Sequence, residues 1–226
     1  AHHGADGHLS GDPAKVPISR GVPVDKAMEA HNLIAFEMNG EPLPALHGFP
    51  ARLVVPGWPG SCSQKWLTRI ELRDIVHDGA KMTGTSYRVP RYPVAPGTEV
   101  PDEDFAIIES MPVKSLVTFP ATGAQVAAGQ PVEIRGHAWA GDQAVRDMHV
   151  SLDFGQTWQK ARLERGANKY AWRRWRATVT PPIAGYYEVW ARATDEDGLM
   201  QPATTPGWNP KGYVNNMMHR IALFAA

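Results

Sequence analysis

Proline and glycine interrupt this sequence so often that no long helix fits between them. The 20 prolines and 21 glycines of the 226 residues stand mostly between short β-branched and aromatic runs, the pattern of a β-rich chain with many turns. The one segment with helix-start chemistry is Val24–His31, where Pro23 suits a first-turn position and Asp25 lies near the positive helix end. It is short. The length suits one large domain or two small ones.

From Ile34 the text reads as strands. IAFEMNG runs into an Asn39-Gly40 turn, ARLVV follows Pro50 as a nearly continuous apolar run, and KWLTRIELRD alternates from Lys65 to Arg73. These runs predict buried strands. Between them PGWPGSCSQ, Pro56 to Gln64, is a loop whose prolines and glycines define its path and leave backbone amides free to face a ligand. Tyr87 to Pro112 is proline-rich and acidic in its middle, which predicts an extended connector. Beyond it, KSLVTFP, VEIRGHAW, VRDMHVSLD, TWQKARLE, WRRWRATVT, YYEVWARATD and MMHRIALF alternate with turns such as Asp153-Phe154-Gly155 and Asp195-Glu196-Asp197-Gly198. Seven short strands at that spacing predict a β-sandwich of immunoglobulin type. With Cys62 as the sole cysteine, it has no internal disulfide.

Charge removes one class of partner. The 23 Lys plus Arg are matched by 23 Asp plus Glu, with no long basic block, which argues against nucleic acid. No window reaches the roughly 18 to 20 consecutive apolar residues of a membrane span, and AHHGADGHLSGDP is too polar for a signal-peptide core. The chain reads as soluble, with no membrane partner.

Several residues have chemistry to offer. His2, His3 and His8 have the right groups for a metal, but their spacing matches no standard metal pattern, and the expectation is a flexible polar terminus with no metal site. His47, Arg52 and Lys65 flank the strands around the Pro56 to Gln64 loop, where a cationic cluster beside free amides suits a phosphate-bearing ligand; the plainer alternative is three solvated charges at strand ends. Tyr87, Arg88, Arg91 and Tyr92 form a phenol and guanidinium group in the connector. In Trp172 to Arg176, WRRWR, strand alternation favours core or interface tryptophans over stacking on single-stranded nucleic acid. No Gly-rich phosphate loop, serine elbow or paired-cysteine motif occurs. The residues alone lead to a β-rich anion or cofactor site.

The run AFEMNGEPLPALHGFPARLVVPGWPGSCSQKWLTRIEL, Ala35 to Leu72, resembles the molybdopterin domain of the sulfite oxidase family, with an EMNG turn, a proline-rich step, HGFP, an Arg-containing apolar strand, PG and KWL in the family's order. GWNPKGYVNNMMHRI, together with GHAW and SLDFGQTW, is similar to the family's immunoglobulin-like dimerisation domain. The resemblance implies a mainly β fold with minor α: residues 1–95 as the C-terminal part of a molybdopterin-binding oxidoreductase domain, 96–109 as a connector and 110–226 as the immunoglobulin-like dimerisation domain. It implies molybdenum-molybdopterin as cofactor, with His47, Arg52 and Lys65 on the pterin and its phosphate. Asp6 in HHGAD matches an upstream aspartate that contacts the pterin, and Ser63 and Gln64 would add backbone contacts.

The same resemblance places Tyr87 and Lys211 at the substrate site. Lys211 stands where sulfite oxidases usually carry arginine, keeping the charge but losing the planar fork. The implied reaction is oxidation of sulfite to sulfate by oxo transfer, with electrons passed to a c-type cytochrome, in a periplasmic homodimer. A sulfane dehydrogenase, another oxyanion oxidoreductase of the family, or a non-catalytic dimerisation fragment are the alternatives. The family's molybdenum-ligating cysteine lies in a Cys-Gly-Asn-like stretch that this sequence does not contain, and Cys62 falls at the pterin-loop position. The 226 residues therefore read as the C-terminal part of a longer enzyme, without the metal ligand.

Overall fold

The computed structural model describes residues 1–205 and 207–226 and divides the chain into two units, Ala1–Ser110 with Gly207–Tyr213, and Met111–Pro206 with Val214–Ala226. In the first unit, the strands are His2–Gly4 (β1), Ser19–Arg20 (β2), Leu33–Ala35 (β3), Glu37–Met38 (β4), Glu41–Pro42 (β5), Arg52–Val54 (β6), Leu67–Ile70 (β7), Arg88–Pro90 (β8) and Phe105–Ile107 (β9). They pair antiparallel in small groups, β2-β1-β7, β3-β6, β4-β5 and β8-β9. Asn39 and Gly40 take φ of 55° and 82°, the left-handed backbone that a two-residue Asn-Gly hairpin requires.

The expected helix shrinks to one turn, Val24–Ala27 (α1), because so short a segment cannot repay nucleation by its own hydrogen bonds. Tertiary contact holds it instead. Lys26 is buried, and its ammonium donates to Glu29 at 2.8 Å and to the Pro56 carbonyl at 3.1 Å, tying α1 to the start of the Pro56 to Gln64 loop. The expectation of buried strands from Ile34 onward needs correcting. Leu33, Ile34 and Phe36 are 55%, 54% and 65% exposed, since β3 and β6 form a two-stranded pair and no second layer covers these side chains among the described residues. The expected connector also contains structure: β8 pairs with β9 across it, and Phe105 and Ile108 are buried. Linear division by sequence likewise misses that Gly207–Tyr213 belongs with the first unit.

The histidine-rich start is not a flexible terminus. β1 is the middle strand of its sheet, with His2 opposite Arg20 on one side and Ile70 on the other. His2 is 2% exposed and neither ring nitrogen has a hydrogen-bond partner. Burial above all, with positive neighbours such as Arg20, pushes its pKa down to about 4. His8 instead turns back on its own loop, sharing a 2.8 Å hydrogen bond with Ser10.

The second unit comprises Lys114–Phe119 (β10), Ala124–Val126 (β11), Val132–Trp139 (β12), Val145–Ser151 (β13), Gln159–Lys160 (β14), Arg162–Leu163 (β15), Arg173–Val179 (β16), Gly185–Asp195 (β17) and His219–Ala225 (β18). One sheet runs β10-β12-β16-β15 and the other β11-β18-β17-β13-β14; all neighbours are antiparallel except β11 with β18. This is an immunoglobulin-like sandwich. The segment TWQKARLE supplies two strands, because the chain leaves one sheet at Lys160 and joins the other at Arg162, while Ala161 is buried at the step. Ile134, Met148, Val150, Trp175, Val189 and Leu223 fill the space between the sheets. Alternation is strict in β16, where Trp175 and Val179 face inward and Arg174, Arg176 and Thr178 outward.

One polar knot interrupts that core. Gln201 is fully buried; its side-chain oxygen accepts from Ser115 Oγ at 2.6 Å and the Ala193 amide at 2.9 Å, and its nitrogen donates to the Asn216 carbonyl at 2.9 Å. Replacing it with an apolar residue strands three polar groups, each costing about 1–3 kcal/mol when buried and unpaired. Gln201→Leu should therefore destabilise the chain by about 3 kcal/mol or more, and Ser115→Ala by about 1 kcal/mol; urea titrations followed by tryptophan fluorescence measure both. The second prediction concerns pH. Because His2 is shifted from 6.5 to about 4 on folding, the unfolded chain binds a proton that the folded chain refuses between those values. Stability must fall as pH drops through that window, by at most about 3 kcal/mol from this residue. His2→Phe should flatten the fall in thermal midpoint between pH 7 and pH 4.

Candidate functional site

The HGFP motif builds the centre of the site. Pro44 precedes a 3-10 turn, Ala45–His47, and Gly48 closes it at φ 110°. A Cβ there would come within 3.0 Å of the Lys65 Cβ and 3.1 Å of the Arg52 Cβ, so glycine lets the turn lie directly on both cations. Arg52, on β6, donates to the His47 carbonyl at 3.2 Å and the Ser63 carbonyl at 3.1 Å. Lys65 donates to the Leu46 carbonyl at 3.0 Å and lies 4.2 Å from the Trp66 ring centre. Trp66 in turn donates to the Ala45 carbonyl at 2.9 Å. His47, Arg52 and Lys65 are thus one cluster, with the histidine ring exposed.

The N-terminal strand completes it. At Gly4 a Cβ would collide with Gln64 Nε2 and lie 2.6 Å from the Lys65 carbonyl and 2.7 Å from Asp6 Oδ1. Its absence lets Gln64 Nε2 donate to Asp6 at 3.2 Å. Asp6, Ser63 and Gln64 therefore join His47, Arg52 and Lys65. The expected backbone contacts of Ser63 and Gln64 are partly used within the protein: the Ser63 carbonyl takes Arg52, the Gln64 carbonyl accepts the Leu53 amide at 2.8 Å, and Ser63 Oγ accepts the Val55 amide at 3.0 Å. Two side-chain atoms remain unpaired. Gln64 Oε1 and Arg52 Nε are buried without partners, a state that costs free energy unless a ligand supplies the missing acceptor and donor.

That open pair fits the implied cofactor. A pterin presents ring N–H donors and nitrogen acceptors, its phosphate matches Arg52 and Lys65, and the residues brought together offer one complement to each.

A second group surrounds Tyr87. Its backbone is left-handed, φ 54°, and its ring stacks on Tyr213 at 5.7 Å and 19°. The Arg20 guanidinium lies 4.9 Å from the centre of the same ring. Lys211 is exposed in a loop closed by Asn209, whose Oδ1 accepts the amides of Lys211 at 3.3 Å and Tyr213 at 3.0 Å. Tyr87 and the Lys211 loop are therefore joined through Tyr213. Sequence reasoning missed both Tyr213 and Arg20. Tyr213 lies inside the quoted GYVNN run, whereas Arg20 carries no local signal, its role depending on strand pairing.

Arg20 is 1% exposed; it donates to Met82 Sδ at 2.9 Å and the Lys81 carbonyl at 3.4 Å, and lies 3.9 Å from Cys62 Sγ. Cys62 is fully buried, and burial pushes its thiol pKa up. No cluster of three or more His, Cys, Asp or Glu side chains is placed for a metal among the described residues. His77 shares a 2.9 Å hydrogen bond with Ser19, yet its other nitrogen faces Arg73 at 2.8 Å. An arginine only donates, so His77 accepts at Nδ1 and donates from Nε2 to Ser19, the wrong tautomer for a base.

Comparison with known proteins identifies the family. Residues 1–81 match the oxidoreductase molybdopterin binding domain and residues 105–225 the Mo-co oxidoreductase dimerisation domain. The mitochondrial sulfite oxidases of Macaca fascicularis and Homo sapiens are each 37% identical to 96% of the chain, which spans 41% of their length. The sulfane dehydrogenase SoxCD from Paracoccus pantotrophus superimposes with a TM-score of 0.75 at 30% identity, over 96% of this chain and 52% of that one. The chain belongs to the sulfite oxidase family of molybdopterin-binding oxidoreductases.

Proposed function

We propose that this chain forms the cofactor-seating and substrate-binding part of a molybdenum-dependent sulfite dehydrogenase that oxidises sulfite to sulfate. The observation that carries the reading is the convergence of Asp6, His47, Arg52, Gln64 and Lys65 on one patch with a buried acceptor and a buried donor left open. When bound, the molybdopterin group supplies two-electron redox and oxygen-transfer chemistry. Arg52 and Lys65 would hold its phosphate, Gln64 and Asp6 would orient the ring, and His47 would add a donor at the exposed edge.

Lys211 would attract the substrate anion as a point charge, and the Tyr87 hydroxyl, without a hydrogen-bond partner among the described residues, would donate to a substrate oxygen. Tyr213 and Arg20 hold the Tyr87 ring from its faces or edges by stacking and cation–π contact. Two-electron oxidation at such a site needs an acceptor, and a c-type cytochrome in the periplasm would serve. The sandwich would form a two-fold homodimer, supported by exposed aromatic residues on its second sheet such as Tyr186 and Phe224, 50% and 42% exposed. A second reading, oxidation of a sulfane sulfur, draws on the likeness to SoxCD.

In an enzyme carrying this chain, Arg52→Gln should lower the molybdenum-to-protein ratio after gel filtration, while Cys62→Ser should leave it unchanged; the reverse pattern overturns the seating assignment. Lys211→Met should raise KM for sulfite, lower kcat/KM by roughly ten- to hundredfold and weaken inhibition by chloride, as expected for loss of about 1.5–3 kcal/mol of charge-assisted binding. Lys211→Arg should keep most activity. Steady-state kinetics with sulfite and with a thiol-bound sulfane as rival substrates decide between the two readings.

A further inference from the structure

The outer face of the β10-β12-β16-β15 sheet carries a row of like charges. Arg135 on β12 stands opposite Arg176 on β16, which stands opposite Arg162 on β15, and His137 is opposite Arg174 one step along the same face. Adjacent strands are about 4.8 Å apart, so the backbones carrying the three arginines span about 10 Å. Direct like-charge neighbours destabilise a sheet. Two carboxylates offset part of this: Glu133 lies 3.4 Å from Arg135 and 3.8 Å from Arg176, and Glu164 lies 3.1 Å from Arg176. Arg162 and Arg174 are exposed and have no side-chain partner among the described residues.

The row borders a groove of about 390 Å³ whose walls include Thr118, Phe119, Arg135, His137, Arg174 and Arg176. Arg135 is held against Phe119, 4.2 Å from the ring centre, and His137 lies 6.0 Å from Trp172. These contacts restrict the Arg135 and His137 side chains before anything binds, which lowers the entropy cost of using them. A two-fold contact centred on this patch would set its net positive charge against an identical one, which disfavours self-association there. A carrier of several negative charges complements it.

The geometry points to a binding site for a polyvalent oxyanion, of the linear polyphosphate class, in this groove. Arg174 and Arg176 would grip one end by paired N–H donors, and Arg162 and Arg135 would extend the contact along the row. A single orthophosphate spans too little of the row to engage it. The site lies wholly in the sandwich, apart from the residues proposed to seat the cofactor, and does not depend on that function.

Isothermal titration of the 226-residue chain with sodium tripolyphosphate at low ionic strength tests this. One saturable site per chain is expected, weakened by added salt, with orthophosphate at matched ionic strength binding far less. Arg174→Gln and Arg176→Gln should each weaken tripolyphosphate binding by about tenfold, and Arg162→Gln should weaken it in the same direction. Lys15→Gln, which removes a charge from the first unit, should leave affinity unchanged. Absence of saturation, equal affinity for orthophosphate, or wild-type affinity in the folded arginine variants would overturn the proposal; an equal loss in Lys15→Gln would do the same by showing a diffuse charge effect.

Discussion

Backbone hydrogen bonding between His2–Gly4 and Leu67–Ile70 closes most of the first unit on itself, and the candidate cofactor patch follows from it. That pairing sets Gly4 against Gln64 and Lys65, brings the Ala5 amide to the Trp66 carbonyl at 2.9 Å, and delivers Asp6 to Gln64. Without it, the HGFP turn, Arg52 and Lys65 would still form a cationic cluster, because β6, the turn and the KWL segment are close in sequence. The cluster would lack the one carboxylate that reaches it, through Gln64, among the described residues. The cost of ordering a loop this long grows slowly with length, so a short three-strand sheet suffices to hold it.

The interior of the same unit is unusual in its charge. Arg20 is buried without a carboxylate partner among the described residues, and its compensation comes from a thioether, a thiol, a carbonyl and the Tyr87 ring. Such softer partners interact favourably with a delocalised guanidinium, which is more weakly hydrated than an ammonium and so loses less on burial. The arrangement couples the Tyr87 ring to the interior on one side and to Tyr213 on another. Rigid support of that kind is what a hydroxyl needs if it is to meet a substrate oxygen at hydrogen-bond distance.

Strand alternation in the sandwich separates core side chains from solvent-facing ones. In β16 the inward residues, Trp175 and Val179, belong to the core, and the outward ones, Arg174 and Arg176, are solvent-facing cations. A one-residue slip would exchange the two sets, and the burial of Trp175 against Gly136 leaves no room for it: a Cβ at Gly136 would collide with the indole and with the Leu116 carbonyl. The WRRWR run is thus neither all core nor all surface, since Trp175 is buried while Trp172 is 60% exposed and stacks on Trp139 at 4.4 Å.

Much of this was legible before the fold. Turn chemistry placed the Asn39-Gly40 hairpin and the Asp153-Phe154-Gly155 turn, where Phe154 and Gly155 take φ of 57° and 85°. Period-two alternation marked the sandwich strands, whereas the positions of His47, Arg52 and Lys65 allowed either an anion site or three solvated charges, and the family resemblance was what implied a common site. The turns and the alternation are local, and local sterics and hydrogen bonding encode them. The burial of His2, the exposure of Ile34, the meeting of Asp6 with Gln64 and the stacking of Tyr87 on Tyr213 were decided only in three dimensions. Each depends on which distant strand or loop arrives as neighbour, and a residue's own periodicity carries no information about that choice.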